Sequence, residues 1–133
     1  MSQPPADVIR DVYAAFERGD IPAILAMIDE DIGWRVPQSL PHGGDFSGRE
    51  AVGRFFQGIG EHWDDLQVDL EDVVAAGERV IVLCRIHGRL QATGEETGYS
   101  SAHSWIVRDG TPVRFAEYVD APLTLPAAHA VTS

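Results

Sequence analysis

Cysteine is nearly missing from this chain. One residue of 133, Cys84, carries a thiol, so no internal disulfide framework is possible, and that usage fits a reducing cytosol. Positive charge is scarce too: 10 basic residues face 21 acidic ones, for a formal net charge of −11. Phosphate binding needs clustered Lys and Arg, so this balance argues against nucleic acid and anionic membranes as partners. No apolar run approaches the roughly 20 residues of a transmembrane helix. The opening MSQPPADVIRD has neither a basic n-region nor an apolar core, so it does not read as a secretory signal. Internal repeats are absent. His42, His62, His87, His103 and His129 show no H-E-x-x-H spacing, and no paired C-x-x-C accompanies them, so no metal site is expected. GIGEHW follows no strand and is not a dinucleotide fingerprint. No cofactor is expected.

What remains is an ordinary globular composition, 44% hydrophobic and 23% charged. A chain of this length can bury a core without cross-links. One domain is expected over residues 1–122, followed by a small-residue tail, 123–133, that reads as loose. Val8, Ile9, Val12, Tyr13 and Phe16 recur at steps of one, three and four, which predicts an amphipathic helix over 6–18. Gly19 suits its C-terminal cap. Asp20 can cap a short second helix with Pro22 in its first turn. Ile32, Trp34 and Val36 alternate with Gly33 and Arg35 as a half-buried strand that Pro37 ends. Ser47 and Glu50 have the spacing of a capping box, which starts a third helix near Gly48. Its buried side is Ala51, Val52, Phe55, Phe56 and Ile59.

Beyond Asp65 the pattern is β. Leu66, Val68 and Leu70 alternate; ERVIVLCRIHGRLQA is a long strand after a turn near Gly77; TGYSSAHSWIVR is the next. Asp109–Gly110 is the hairpin dipeptide, and TPVRFAEYVDAP is the last strand. Helices followed by consecutive strands give an α+β domain. A long twisted sheet curls around three N-terminal helices and leaves a cone, whose wide end is a natural small-molecule cavity. The connector 38–46 would lie at that mouth, with Gly43 and Gly44 permitting a tight rim and His42 facing the interior. A solvated histidine in a plain turn is the alternative.

Three stretches, VYAAFERGDIPAILAMIDEDIGWRVP, LPHGGDFSGREAVGRFF and HSWIVRDGTPVRFAEYVDAP, resemble in order and spacing the nuclear transport factor 2-like superfamily, in particular its SnoaL-like branch. The resemblance covers roughly residues 6–122. It implies a cone-shaped, cystatin-like roll with a curved antiparallel sheet, a pocket for a small apolar or polycyclic molecule, and a homodimer through the outer sheet face. It implies no single reaction, because the superfamily holds cyclases, isomerases, epoxide hydrolases and non-catalytic binders.

On the last strand Phe115, Glu117 and Val119 share a face. Two apolar neighbours turn that face inward, so Glu117 is a candidate general acid or base in an apolar cone. The other possibility is a structural carboxylate paired with an arginine. Arg85 and His87 share a face of the long strand. In limonene epoxide hydrolase two carboxylates bridged by an arginine activate water; here Arg85 and Glu117 match two of the three roles, and His87 stands where the second acid would be. Alternatively, Arg85, His87 and Arg89 form a solvated or interface face. The usual ketosteroid isomerase base position falls on Val36, which cannot abstract a proton, while His103 falls near the second acid's place and Tyr13 one residue off the tyrosine's. SnoaL-type cyclisation needs one acid–base residue and a shaped pocket. The expected reading is therefore cofactor-independent acid–base chemistry, a cyclisation, isomerisation or hydration, with Glu117 and His103 catalytic. Tyr13, Trp34, His42, Phe55, Arg85, His87, Trp105 and Phe115 would contact the ligand. Trp34 and Trp105 could equally be ordinary core, as Cys84 is expected to be. A non-catalytic binding or sensory module is the competing class.

Overall fold

A computed structural model describes residues 3–120; the tail 123–133 and His129 lie outside the described residues. Helix α1 (Pro5–Glu17) buries Val8, Ile9, Val12 and Ala15. It ends in a Schellman motif. Gly19, at φ 73°, donates to the Phe16 carbonyl and Asp20 to the Ala15 carbonyl. Asp20 then caps α2 (Ile21–Met27), accepting from the Ala23 N–H at 3.2 Å. Ile9 and Ile24 are fully buried, each contributing about 2 kcal/mol of transfer free energy.

Strand β1 (Gly33–Val36) is followed by β2 (Gly44–Ser47), which pairs with it antiparallel. The segment 38–46, expected to be a connector at the cavity mouth, thus ends in a strand. The capping box does not form. Ser47 is committed to β2 opposite Gly33, and Gly48, at φ 89°, precedes α3 (Arg49–His62) without any side-chain cap. Backbone acceptors replace it: Gly48 N–H donates to the Ile32 carbonyl and Arg49 N–H to the Glu30 carbonyl.

Strand β3 (Trp63–Ala76) starts directly at the end of α3, earlier than alternation indicated. Its first residues are irregular, with Asp65 at φ 55° and a register shift between Asp64 and Gln67, which hides the period of two. Strands β4 (Arg79–Leu90), β5 (Glu96–Arg108) and β6 (Thr111–Val119) follow as antiparallel neighbours. Asp109 and Gly110 both take positive φ in the β5–β6 turn, as the dipeptide predicts.

The sheet runs β2-β1-β6-β5-β4-β3. It is antiparallel everywhere except between β1 and β6, which pair in parallel, so the all-antiparallel expectation is corrected at that seam. Parallel neighbours need a long crossover, and the chain supplies one by building β2 to β5 between them. The curved open sheet packs its concave face on the three helices, the α+β arrangement expected. Val80, Val82, Cys84 and Ile86 of β4 face inward. Among the described residues no helix is long and apolar enough to cross a membrane.

Candidate functional site

Between the helices and the concave face lies a cavity of about 60 Å³, room for roughly four to six waters. Tyr13, Trp34, His42, Phe55, His103, Trp105, Phe115 and Glu117 all line it. Alternation explains most of the set. β1 turns Trp34 and Val36 inward, β5 turns Tyr99, Ser101, His103 and Trp105 inward, and β6 turns Phe115 and Glu117 inward. The same rule takes Arg85 and His87 away. Cys84 and Ile86 occupy the inner face of β4, so Arg85 is exposed outside and His87 pairs with Asp69 at 2.8 Å on the outer face. The structure does not bring Arg85 and Glu117 together, so no arginine bridges two acids as in the epoxide hydrolase constellation.

His103 and Glu117 are register partners across β5 and β6. Their side chains therefore meet, His103 Nε2 lying 3.0 Å from Glu117 Oε2. Ser101, one pleat repeat along, donates to the same oxygen at 2.7 Å. The other ring nitrogen of His103 hydrogen-bonds the Tyr13 hydroxyl, which α1 delivers from above. The two rings stack at 5.8 Å and 9°. Trp105 Nε1 donates to the Tyr13 oxygen at 3.0 Å. The result is a continuous chain, Trp105–Tyr13–His103–Glu117–Ser101, on an otherwise apolar wall. Cys84 Sγ sits 3.9 Å from both His103 nitrogens.

Burial pushes the Glu117 carboxyl up, but donation from His103 and Ser101 outweighs it and leaves the group below the usual carboxylate range. Burial pulls His103 down; Tyr13, Cys84 and Glu117 together hold it well above the ordinary imidazole value. The pair therefore favours imidazolium and carboxylate. Burial raises the Tyr13 hydroxyl. His42 takes the opposite course. Burial, set only partly against the Glu117 charge, lowers it to about 4. It is neutral at pH 7 and accepts from Trp63 Nε1 at 3.0 Å through Nδ1.

Gly43 fixes this rim. A Cβ there would stand 1.9 Å from the Pro37 carbonyl oxygen, so only glycine fits. A second groove of about 580 Å³ runs between α1 and β3 and shares Tyr13, Phe16, Leu66 and Val68 with the cavity.

A family model described as a SnoaL-like domain matches residues 9–115. The chain belongs to the SnoaL-like family. Among solved structures, this SnoaL-like domain is similar to a nuclear transport factor 2-like protein from Burkholderia thailandensis, at 30% identity over 96% of this chain and 98% of that one, TM-score 0.88. A second such protein, from Burkholderia xenovorans, is 29% identical over 96% and 97%, TM-score 0.81. A candidate polyketide cyclase from Xanthomonas campestris is 26% identical over 93% and 96%, TM-score 0.79. No curated protein matches the sequence.

Sequence reasoning missed Ser101 and Tyr99 in this SnoaL-like domain. The signal was present: Tyr99, Ser101, His103 and Trp105 alternate along one face of a single strand. No three metal-ligating side chains converge among the described residues.

Proposed function

We propose that this protein performs cofactor-independent acid–base chemistry on a small carbonyl compound, of the cyclisation or isomerisation type. The observation that carries this reading is the hydrogen-bonded His103–Glu117 pair buried against an apolar cavity and joined to Tyr13. With His103 as imidazolium, its Nδ1–H and the Trp105 N–H both donate to the Tyr13 oxygen. The Tyr13 O–H is then free to donate to a ligand carbonyl, and a phenolate formed there would be held by two donors. The Glu117 carboxylate would take the proton leaving the α-carbon as Tyr13 gives its own to the carbonyl oxygen, and passing that proton from Glu117 through His103 back to Tyr13 completes the cycle. The 133 residues contain no lysine, so Schiff-base activation of a carbonyl by a lysine of these residues has no amine to use. A neighbour described as a candidate polyketide cyclase is consistent with this class of reaction.

The test is α-proton exchange of cyclohexanone in D2O, followed by NMR. Wild type should accelerate deuterium uptake, and Glu117→Gln and Tyr13→Phe should each reduce that acceleration roughly a hundredfold or more while still binding the ketone. If Glu117→Gln and His103→Ala both leave the rate intact, the catalytic assignment is wrong.

One observation favours a second reading, a binding module without turnover: both His103 nitrogens are already satisfied by protein partners, as in a structural network. A ligand co-purifying in native mass spectrometry and unconverted after hours would decide for it. In either reading we propose a homodimer through the outer sheet face, where Leu83 and Tyr118 flank Ala102 in one cross-strand row and are both exposed. Sedimentation should give a dimer that Leu83→Arg converts to monomer; a wild-type monomer would refute it.

A further inference from the structure

Two polar atoms on this cavity are treated differently from all the others. Trp34 and Tyr99 are 5% and 3% exposed, and both line the cavity. Among the described residues, Trp34 Nε1 and Tyr99 OH are buried with no hydrogen-bond partner. Poor local packing does not explain this. Trp34 stacks on Phe115 at 4.1 Å and meets Trp105 edge-on at 5.5 Å. Every polar side chain between them is partnered: Trp105 with Tyr13, Tyr13 with His103, His103 and Ser101 with Glu117. Leaving a buried donor unmade is costly, and phenylalanine would remove the cost at either position, keeping the same ring at Tyr99 and a smaller aromatic one at Trp34.

The register places the two atoms on either side of the acid–base chain. Trp34 is level with Phe115, which pairs with Trp105. Tyr99 lies on the same strand as Trp105 but beyond His103 and Ser101, opposite Ile86. We infer that Trp34 Nε1 and Tyr99 OH are ligand-recognition groups, each taking an oxygen atom of an uncharged, flat, oxygenated molecule whose middle lies over the Tyr13–His103–Glu117 chain. An indole N–H only donates, so the group at Trp34 is a carbonyl, ether or hydroxyl oxygen; the Tyr99 hydroxyl accepts or donates and takes either a carbonyl or a hydroxyl. Flatness follows from walls built of aromatic faces. Neutrality follows from charge: Glu17 and Asp65 border the groove beside the cavity, which disfavours anions, and inside the cavity Glu117 is already hydrogen-bonded by His103 and Ser101, which leaves no unmatched carboxylate there for a cation.

This inference rests on the cavity being the ligand site, and its test separates the two. The probes are 2,6-dihydroxynaphthalene, with oxygens at both ends, and 2-methylnaphthalene, with none. Their binding is measured by calorimetry to wild type, Trp34→Phe and Tyr99→Phe. Each substitution should weaken the dihydroxy compound roughly 3- to 10-fold and change the hydrocarbon less than about twofold. In wild type, the dihydroxy compound alone should move the assigned Trp34 indole N–H resonance downfield, a readout that does not depend on a variant folding. If wild type binds both probes and the variants do not discriminate, or the Trp34 resonance stays still, this inference is overturned and the cavity reading survives. If wild type binds neither, the cavity reading fails and takes the inference with it.

Discussion

His42 and His103 line one cavity, yet their environments push them in opposite directions. His42 has only a neutral partner, the Trp63 indole, so burial dominates and its value falls to about 4. A lowered histidine contributes stability that is complete above its unfolded value near 6.5 and is lost as pH falls toward the folded one. The predicted loss between pH 7 and pH 5 is about 2 kcal/mol, read from urea midpoints. His42→Gln, which keeps an acceptor for Trp63, should flatten that slope; an unchanged slope would show that His42 is not the group responsible. His103 has the opposite sign. Its raised value contributes stability below pH 6.5 that is lost as pH rises through the folded value, while lowered Glu117 contributes stability above its unfolded value of 4.5 that is lost as pH falls through the folded one. Glu117 and Tyr13 were legible in the sequence because alternation on β6 and a helical stripe set their facing, and His103 was reached through the family resemblance. The facing of Tyr99 was readable from alternation on β5, but its role was not, since a tyrosine in a strand reads as core until its hydroxyl is seen to lack a partner.

At the scale of elements, the short segment before α3 departs furthest from local sequence rules. S-x-x-E is a sound capping signal, but pairing of Ser47 with Gly33 across β1 and β2 outweighs it. Ser47→Ala should therefore change stability by less than about 0.5 kcal/mol, where loss of a true cap costs about 1. Gly48→Ala, at φ 89°, should cost about 1 kcal/mol or more. The reverse order in denaturant melts would restore the capping box. Gly43→Ala is the harsher change, because its Cβ meets backbone rather than a side chain that can move; a loss of at least about 2 kcal/mol is expected. The turns at Gly19 and Asp109–Gly110 were readable because their chemistry is local. The parallel β1–β6 seam was not, because it joins residues far apart in sequence whose only local signal is a short half-buried strand.

For the whole molecule, charge and interior pull against each other. A net charge of −11 means self-repulsion that salt screens, so raising sodium chloride from low to physiological strength should raise the melting temperature. A fall would mean that attractive pairs dominate the surface. The α+β class and the inward faces of β1 and β6 followed from the pattern of the sequence, whereas on β4 Arg85 and His87, expected at the ligand, lie outside. The size of the hollow did not, because it depends on how Phe55, Phe56, Trp34 and Trp105 pack together in three dimensions.

The central claim is that His103, Glu117 and Tyr13 act as one coupled proton-holding unit beside that hollow. Nitrogen-15 NMR titration of the His103 ring, in wild type and in Glu117→Gln, tests it most directly. The account predicts that both His103 nitrogens stay protonated well above pH 6.5 in wild type and that the transition moves down in the variant. An ordinary titration near 6.5, the same in both proteins, would contradict it.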